Sequence, residues 1–178
     1  MKNFIMFLIF ALALPIFTAC EVSDKSAEIK AYYTDEFAKS ITSKANCESN
    51  NFYWLGSECS MFPACAQNGS TPCKDKDTGY IWSPLAINDM SWKSAMSYCD
   101  NLTESGFSDW GLPPRDVLNN FYNGSGSSKL GDTGQFWSSA YDDDRAYCYD
   151  FKKGNDCGYP YNSYRSKDDT YAVRCVRW

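Results

Sequence analysis

Hydrophobic and polar positions divide the chain into four stretches. Met1-Lys2-Asn3 carries one positive charge, and Phe4 to Phe17 is almost wholly apolar. A helix over that run would span about 21 Å against a bilayer core of about 30 Å, and Pro15 interrupts it, so 1–19 reads as an export signal rather than a membrane span. Residues 20–45 are charged and, after Cys20, contain no Gly, Pro or Cys; Ile29, Tyr33, Phe37 and Ile41 recur every four residues. This thin stripe predicts a tether, part helical, that holds the following domain away from a surface. Residues 46–74 combine four Cys with Pro63, Pro72 and Gly69, a loop-rich segment that cannot bury much without crosslinks. From Asp75 to Trp178 the pattern is that of a globular domain.

Within 75–178, Gly79-Tyr80-Ile81-Trp82 reads as a short strand. Trp92, Ala95, Met96, Cys99 and Leu102 follow the helical i, i+3, i+4, i+7, i+10 spacing, with Asp89 or Ser91 as N-cap and Gly106 beyond the end. Pro113-Pro114 opens a second helix with Val117, Leu118 and Phe121 on its buried face, and Asn123-Gly124 ends it. Residues 124–134 have loop composition, whereas 135–140, 146–151 and 171–178 are rich in aromatic and β-branched residues and read as strands. Two helices followed by short strands predict an α+β fold.

Composition removes several function classes. The 178 residues hold 17 Lys+Arg, 22 Asp+Glu and no His, a net charge of -5. Without His there is no Ser-His-Asp or Cys-His triad and no imidazole zinc site. The acidic balance argues against a nucleic-acid partner and against polyanions, unless Arg174, Arg177, Lys152 and Lys153 make one face locally basic. Phe17-Thr18-Ala19-Cys20 resembles a bacterial lipobox, in which the Cys is acylated and becomes the mature N-terminus. Phe17 stands where that pattern prefers Leu. A lipid on Cys20 would fix the protein to a membrane without spanning it, and Glu21 differs from the Asp that retains lipoproteins at the inner membrane. The expected location is the bacterial envelope, at the outer membrane or cell surface.

Of nine Cys, eight remain after Cys20, an even number that fits four disulfides in an exported protein. No C-x-x-C occurs, so zinc-ribbon and thioredoxin-type sites have no support. Four Cys fall in 47–73 and four in 99–175, which predicts two bridges within each group.

An ordered set of short motifs carries a family resemblance. Asp77-Thr78-Gly79-Tyr80-Ile81-Trp82 is followed by Ser91-Trp92-Lys93-Ser94-Ala95, Tyr98-Cys99, and Gly106-Phe107-Ser108-Asp109-Trp110-Gly111-Leu112-Pro113. Phe136-Trp137-Ser138-Ser139 and Val173-Arg174-Cys175-Val176-Arg177 come later. Over residues 75–178 this resembles the Lcl C-terminal domain family, a bacterial extracellular module. The chain has Gly111 where the family usually has Arg, and Asp116-Val117 where it usually has Glu-Leu. The resemblance implies a C-type-lectin-like fold with two helices and a short-stranded, mostly antiparallel sheet stapled by disulfides. It further implies bridges from the first helix to the last strand, Cys99 to Cys175, and within the late hairpin region, Cys148 to Cys157. Proximity alone then suggests Cys47 with Cys59 and Cys65 with Cys73.

Candidate sites each carry a plainer alternative. Trp82, Trp92, Trp110 and Trp137 would serve either as a sugar-stacking platform or as core, and their places on helix and strand faces favour core. Asp142, Asp143 and Asp144 offer oxygen ligands to Ca²⁺, although such a run is commonly a solvated acidic turn. Tyr159, Tyr161, Asn162, Tyr164 and Arg165 make the favoured ligand-contacting loop, because Tyr and Asn in loops form adaptable surfaces. The resulting expectation is a non-enzymatic surface lipoprotein that binds glycan or extracellular protein and needs no cofactor. Some members of the resembled family are tied to adhesion and sulfated polysaccharides. The alternatives are an enzyme on the related formylglycine-generating fold, which would need a reactive Cys pair, and a purely structural envelope protein.

Overall fold

A computed structural model describes residues 19–66, 71–124, 130–158 and 164–178, with side chains from residue 26 onward. Among the described residues the order begins with α1 (Ala19–Ser40), α2 (Lys44–Ser49), β1 (Tyr53–Trp54), β2 (Cys59–Ser60), β3 (Cys73–Lys74) and β4 (Ile81–Trp82). It continues with α3 (Trp92–Asp100), α4 (Arg115–Asn123), β5 (Gln135–Asp142), β6 (Arg145–Asp150), β7 (Asn155–Asp156), β8 (Tyr164–Ser166) and β9 (Val176–Arg177). The fold is α+β. Three small antiparallel sheets form: β1-β2, β3-β4-β9, and β5-β6 with β7 and β8 both paired to β6.

α3 and α4 form where the apolar spacing places them. Ser91 stands at the N-cap position of α3, its hydroxyl donating to that of Ser94, and Trp92, Ala95 and Cys99 are buried. Pro114 precedes α4, which buries Val117, Leu118 and Phe121, and Gly124 closes it with a backbone bond to the Asn120 carbonyl at 2.7 Å. β5 and β6 make the longest ladder, broken by a register shift between Trp137 and Tyr141.

The last segment is less strand-like than its composition suggests. Only Val176–Arg177 lies in a ladder. The Ala172, Val173 and Cys175 carbonyls accept from Trp137, Ala86 and Ser83 respectively, and Tyr171 exchanges bonds with Met90. Residues 81–90 run antiparallel along this buried segment and take most of its backbone pairing, while Gln135 and Trp137 of β5 bond Ala172 and Gly111 bonds Val176.

Two adjoining clusters form the core. One gathers α3 with Trp110, Trp137, Val173 and Phe107; the other joins α4 to Trp82, Phe136, Tyr147 and Phe151. Trp82 and Trp137 are fully buried, and Trp92 and Trp110 nearly so. The indole N–H groups of Trp92, Trp137 and Trp110 donate to the Ser138, Met90 and Phe107 carbonyls at 2.8, 2.8 and 3.1 Å. All four indoles are packing elements with no face free for stacking a sugar.

Four disulfides join Cys47 to Cys59, Cys65 to Cys73, Cys99 to Cys175 and Cys148 to Cys157. The third spans 76 residues and ties α3 to the end of the chain, worth about 4–5 kcal/mol in the chain-entropy account.

Residues 20–45, expected as a part-helical tether, are helical to Ser40, and the second half of α1 packs on the domain. Ala31 and Ala38 are buried, Asp35 is 5 % exposed, and Ser108 donates to Glu28 at 2.9 Å. Gly106 explains the close approach. Its φ is +82°, and a Cβ there would lie 2.9 Å from Ala31 Cβ and 3.2 Å from the Ala27 carbonyl oxygen. Small residues on both sides let the helix seat where a larger pair would hold it off. Ala38 then meets the Cys47–Cys59 bridge in a third cluster bordered by Ile41, Phe52 and Trp54. Of the predicted stripe, Ile29, Tyr33 and Phe37 are half exposed, the Phe37 ring edge-on to Phe52 at 6.1 Å, while Ile41 borders the third cluster.

Candidate functional site

The C-terminal half of the predicted contact loop packs beside β6. Tyr159, Tyr161 and Asn162 lie outside the described residues; Tyr164 and Arg165 begin β8, which pairs with Tyr147 and Ala146. The Tyr164 ring stands edge-on to Tyr147, centroids 6.1 Å apart. Arg165 donates to the Cys157 carbonyl at 2.7 Å, fastening β8 to the Cys148–Cys157 bridge.

Sequence reading missed the groups that surround Tyr164. Tyr147 is buried and its hydroxyl donates to Asp156 in a very short contact. The same carboxylate pairs with Arg115, the first residue of α4, at 3.1 Å. The Arg115 guanidinium lies 4.5 Å over the Tyr147 ring, and that of Arg145 lies 6.0 Å from the Tyr164 ring. Both arginine side chains are about half exposed. Cationic, planar groups are thus presented on a backing of tyrosine rings, an arrangement suited to stacking and to bidentate hydrogen bonds. Nothing in the spacing of positions 115, 145, 147 and 156 announces this cluster. The i, i+2 alternation of Arg145 and Tyr147 on one strand was its only local signal.

Electrostatics fix the tyrosines as scaffold. Burial and the hydrogen bond to Asp156 raise the Tyr147 hydroxyl well above the ordinary tyrosine value, with Arg115 opposing. Burial pushes Tyr149 up to about 12, with smaller contributions from Tyr122 and Asp156. Neither hydroxyl sheds its proton near neutral pH, so both act as fixed donors rather than proton-transfer groups.

The acidic run caps the β5–β6 hairpin. Asp142 pairs with Arg145 at 3.3 Å, and Asp144 lies 3.9 Å from the same guanidinium. Asp143 has φ +27°, and its carbonyl accepts from the Lys167 ammonium in a very short contact. Lys167 in turn sits 4.7 Å from the Trp92 ring and 4.4 Å from that of Tyr141. The turn is thus crosslinked by cations. Among the described residues no group of three or more Cys, Asp or Glu is placed to hold a metal ion.

Of the four residues that could have made one face locally basic against the acidic balance, Arg174 and Arg177 are turned inward. Arg174 is 6 % exposed and donates from Nε and Nη2 to Asp132, at 2.5 and 2.8 Å, and from Nη1 to the Ser83 carbonyl at 2.7 Å. Arg177 binds Asp109 at 2.7 and 3.2 Å and covers the Phe107 ring at 3.6 Å. Both guanidiniums are spent on holding the last strand, where an unpaired buried charge would be costly.

These paired arginines lie in the Val173–Arg177 motif, and the profile of the Lcl C-terminal domain matches residues 72–177. The chain belongs to the Lcl C-terminal domain family. The match begins at β3 rather than at Asp75, consistent with β3 pairing to β4 within the domain's sheet. Lcl C-terminal domains are extracellular domains of unknown function. No curated protein matches the chain.

A cleft lies away from the predicted contact loop, between α1 and the β3-β4-β9 sheet. This cleft of about 150 Å³ is lined by Asp35, Lys39, Ser60, Lys74, Gly79 and Trp178. Trp178 is 76 % exposed and packs edge-on against Tyr80 at 4.9 Å. Lys39 pairs with Asp35 at 3.0 Å and Lys74 with Glu58 at 3.1 Å. It exists only because α1 docks, which no periodicity in residues 20–45 foretells.

Proposed function

We propose that this protein is a lipid-anchored envelope protein, non-enzymatic, whose C-terminal domain holds a glycan or an extracellular protein through the Arg115–Arg145–Tyr164 surface. The observation that carries this reading is the pair of half-exposed guanidiniums set over the rings of Tyr147 and Tyr164, beside β8. Arginine and tyrosine dominate binding energy where they are held rigid; here Asp156 holds Arg115, Asp142 pairs with Arg145, and the Arg165–Cys157 bond fastens the strand that carries Tyr164. The lipobox-like Phe17-Thr18-Ala19-Cys20 supports an acyl anchor at Cys20, at the outer membrane or cell surface. Four disulfides suit an oxidising compartment. A helix-to-last-strand bridge and a late-hairpin bridge also support the C-type-lectin-like resemblance.

The enzyme alternative needs two thiols, and Cys148, Cys157 and Cys175 are all crosslinked in the oxidised chain. Titration of the folded protein that found two free, low-pKa thiols among them would restore it. The binding reading is tested with a panel of glycans and matrix proteins against the wild type, Arg145→Ala with Tyr164→Ala, and Trp178→Ala. Loss of a hit by the Arg145/Tyr164 variant, on the order of 30-fold for a hot-spot pair, supports the proposed surface. Loss only in Trp178→Ala moves the ligand to the cleft. No hit at millimolar ligand removes the reading.

A further inference from the structure

We propose that the outer face of α1, formed by Ile29, Tyr32, Tyr33 and Phe37, rests on the lipid surface from which the helix emerges. The proposal rests on the membrane anchoring in the reading above and adds how the domain lies on that membrane. The four side chains are 54, 56, 59 and 52 % exposed, while Ala31, Asp35 and Ala38 on the opposite face are buried. Apart from the edge contact of Phe37 with Phe52, the fold does not account for an apolar strip left outside while a small-residue strip is used for packing.

Its position in the chain names the occupant. α1 starts at Ala19, directly after the apolar run Phe4–Phe17. Whether that run is removed with acylation of Cys20 or is retained, it delivers the start of α1 to a bilayer. Ile29 then lies about 14 Å along the helix from Cys20, and Phe37 about 12 Å further, so a helix lying flat brings the strip to the surface in sequence. Tyrosine and phenylalanine suit the interface, where an apolar ring meets polar headgroups.

The neighbouring charges do not oppose this. Asp35 and Glu36 are both paired with Lys39, at 3.0 and 3.2 Å, and Glu28 accepts from Ser108. A second protein chain is the poorer occupant. Four half-exposed side chains offer on the order of 400 Å², taking the usual burial of aromatic residues. A stable protein interface takes roughly 800 Å² from each partner, whereas a lipid surface needs no complementary shape.

The test uses the full exported chain in vesicles of phosphatidylethanolamine and phosphatidylglycerol, with and without brominated acyl chains. Tyr33→Trp and, separately, Ile29→Trp add a reporter at solvent-exposed helical positions. The wild-type emission is subtracted, and the mass of the N-terminal peptide is measured in parallel. The expected result is a blue-shifted difference emission that loses most of its intensity to bromine. A water-like, unquenched emission from an acylated chain overturns the proposal and leaves the anchor standing. A blue-shifted emission that bromine does not quench places a second protein on the strip and overturns it too. If the mass shows neither acyl chains nor a retained leader, the anchor reading fails. Quenching by added vesicles would then still support lipid contact by α1, and its absence would overturn it.

Discussion

α1 and α4 are both amphipathic, yet they seat on the protein by opposite rules. α4 turns its large apolar residues inward: Val117, Leu118 and Phe121 are at most 4 % exposed, and Phe121 lies 4.1 Å from the Trp82 ring. Among its described side chains, α1 buries Ala31, Asp35 and Ala38 and leaves Ile29, Tyr33 and Phe37 about half exposed. The first is held by burial of apolar area, the second by closeness of backbone, with Gly106 as the receiving surface. Hydrophobic period therefore identifies a helix without saying which face the protein will use.

Crosslinks give the largest test of that difference. Replacing Cys99 and Cys175 by Ala removes a bridge spanning 76 residues and should cost about 4–5 kcal/mol. Replacing Cys47 and Cys59, 12 residues apart, should cost about 3 kcal/mol. Urea unfolding measures both. Limited proteolysis separates them: the second variant should expose cleavage sites in α1 and α2 while α3 and α4 stay protected.

Phe121→Ala should cost about 3–5 kcal/mol, because it leaves a cavity against Trp82 and Phe151. Ala31→Leu inverts the experiment on α1. A larger side chain cannot fit against Gly106, so overpacking should cost about 1–3 kcal/mol and appear as faster amide exchange in α1 alone. A Phe121→Ala effect confined to α4, or an Ala31→Leu effect spread through the domain, would erase the distinction between the two helices.

Alkaline pH should reach the α4 side first. Tyr149 packs against Tyr122 of α4 and its hydroxyl donates to Asn119 at 3.4 Å. Its folded pKa is raised from 10.0 to about 12, so the folded state holds its proton more tightly than the unfolded chain. That contribution is complete below about pH 10 and is lost as pH rises towards 12. Tyr149→Phe should flatten the decline, followed by urea midpoints with phenolate absorbance as the check.

The parts of this fold legible in the sequence are those in which one local pattern decides. Trp92-Ala95-Cys99 and Val117-Leu118-Phe121 give helices with their buried faces, and the grouping of cysteines in two sets of four matches two bridges in each half. The illegible parts depend on distant partners. Arg174 and Arg177 read as surface cations until Asp132 and Asp109 are seen beside them, 42 and 68 residues away. Tyr164 and Arg165 lay in the predicted contact loop, but Arg115 and Asp156 reach them only through the packing of α4 against β6 and β7. The docking of α1 joins Gly106, the Ser108–Glu28 bond and the Cys47–Cys59 bridge, distant positions on which spacing rules carry no information.

The smallest expected effect separates the two helices most cleanly. Ile29→Ser replaces an apolar residue by a polar one of similar helix propensity at a position 54 % exposed. Away from vesicles it should move the unfolding free energy by no more than about 0.5 kcal/mol, the range of ordinary surface changes. The same exchange at Val117, 4 % exposed, loses buried apolar area and places a hydroxyl in the core, and should cost about 2 kcal/mol or more. Both positions sit in equally plausible apolar stripes, so the ratio of the two costs measures what periodicity cannot. A cost above about 1 kcal/mol for Ile29→Ser in free solution would mean that protein, not water, already covers the outer face of α1.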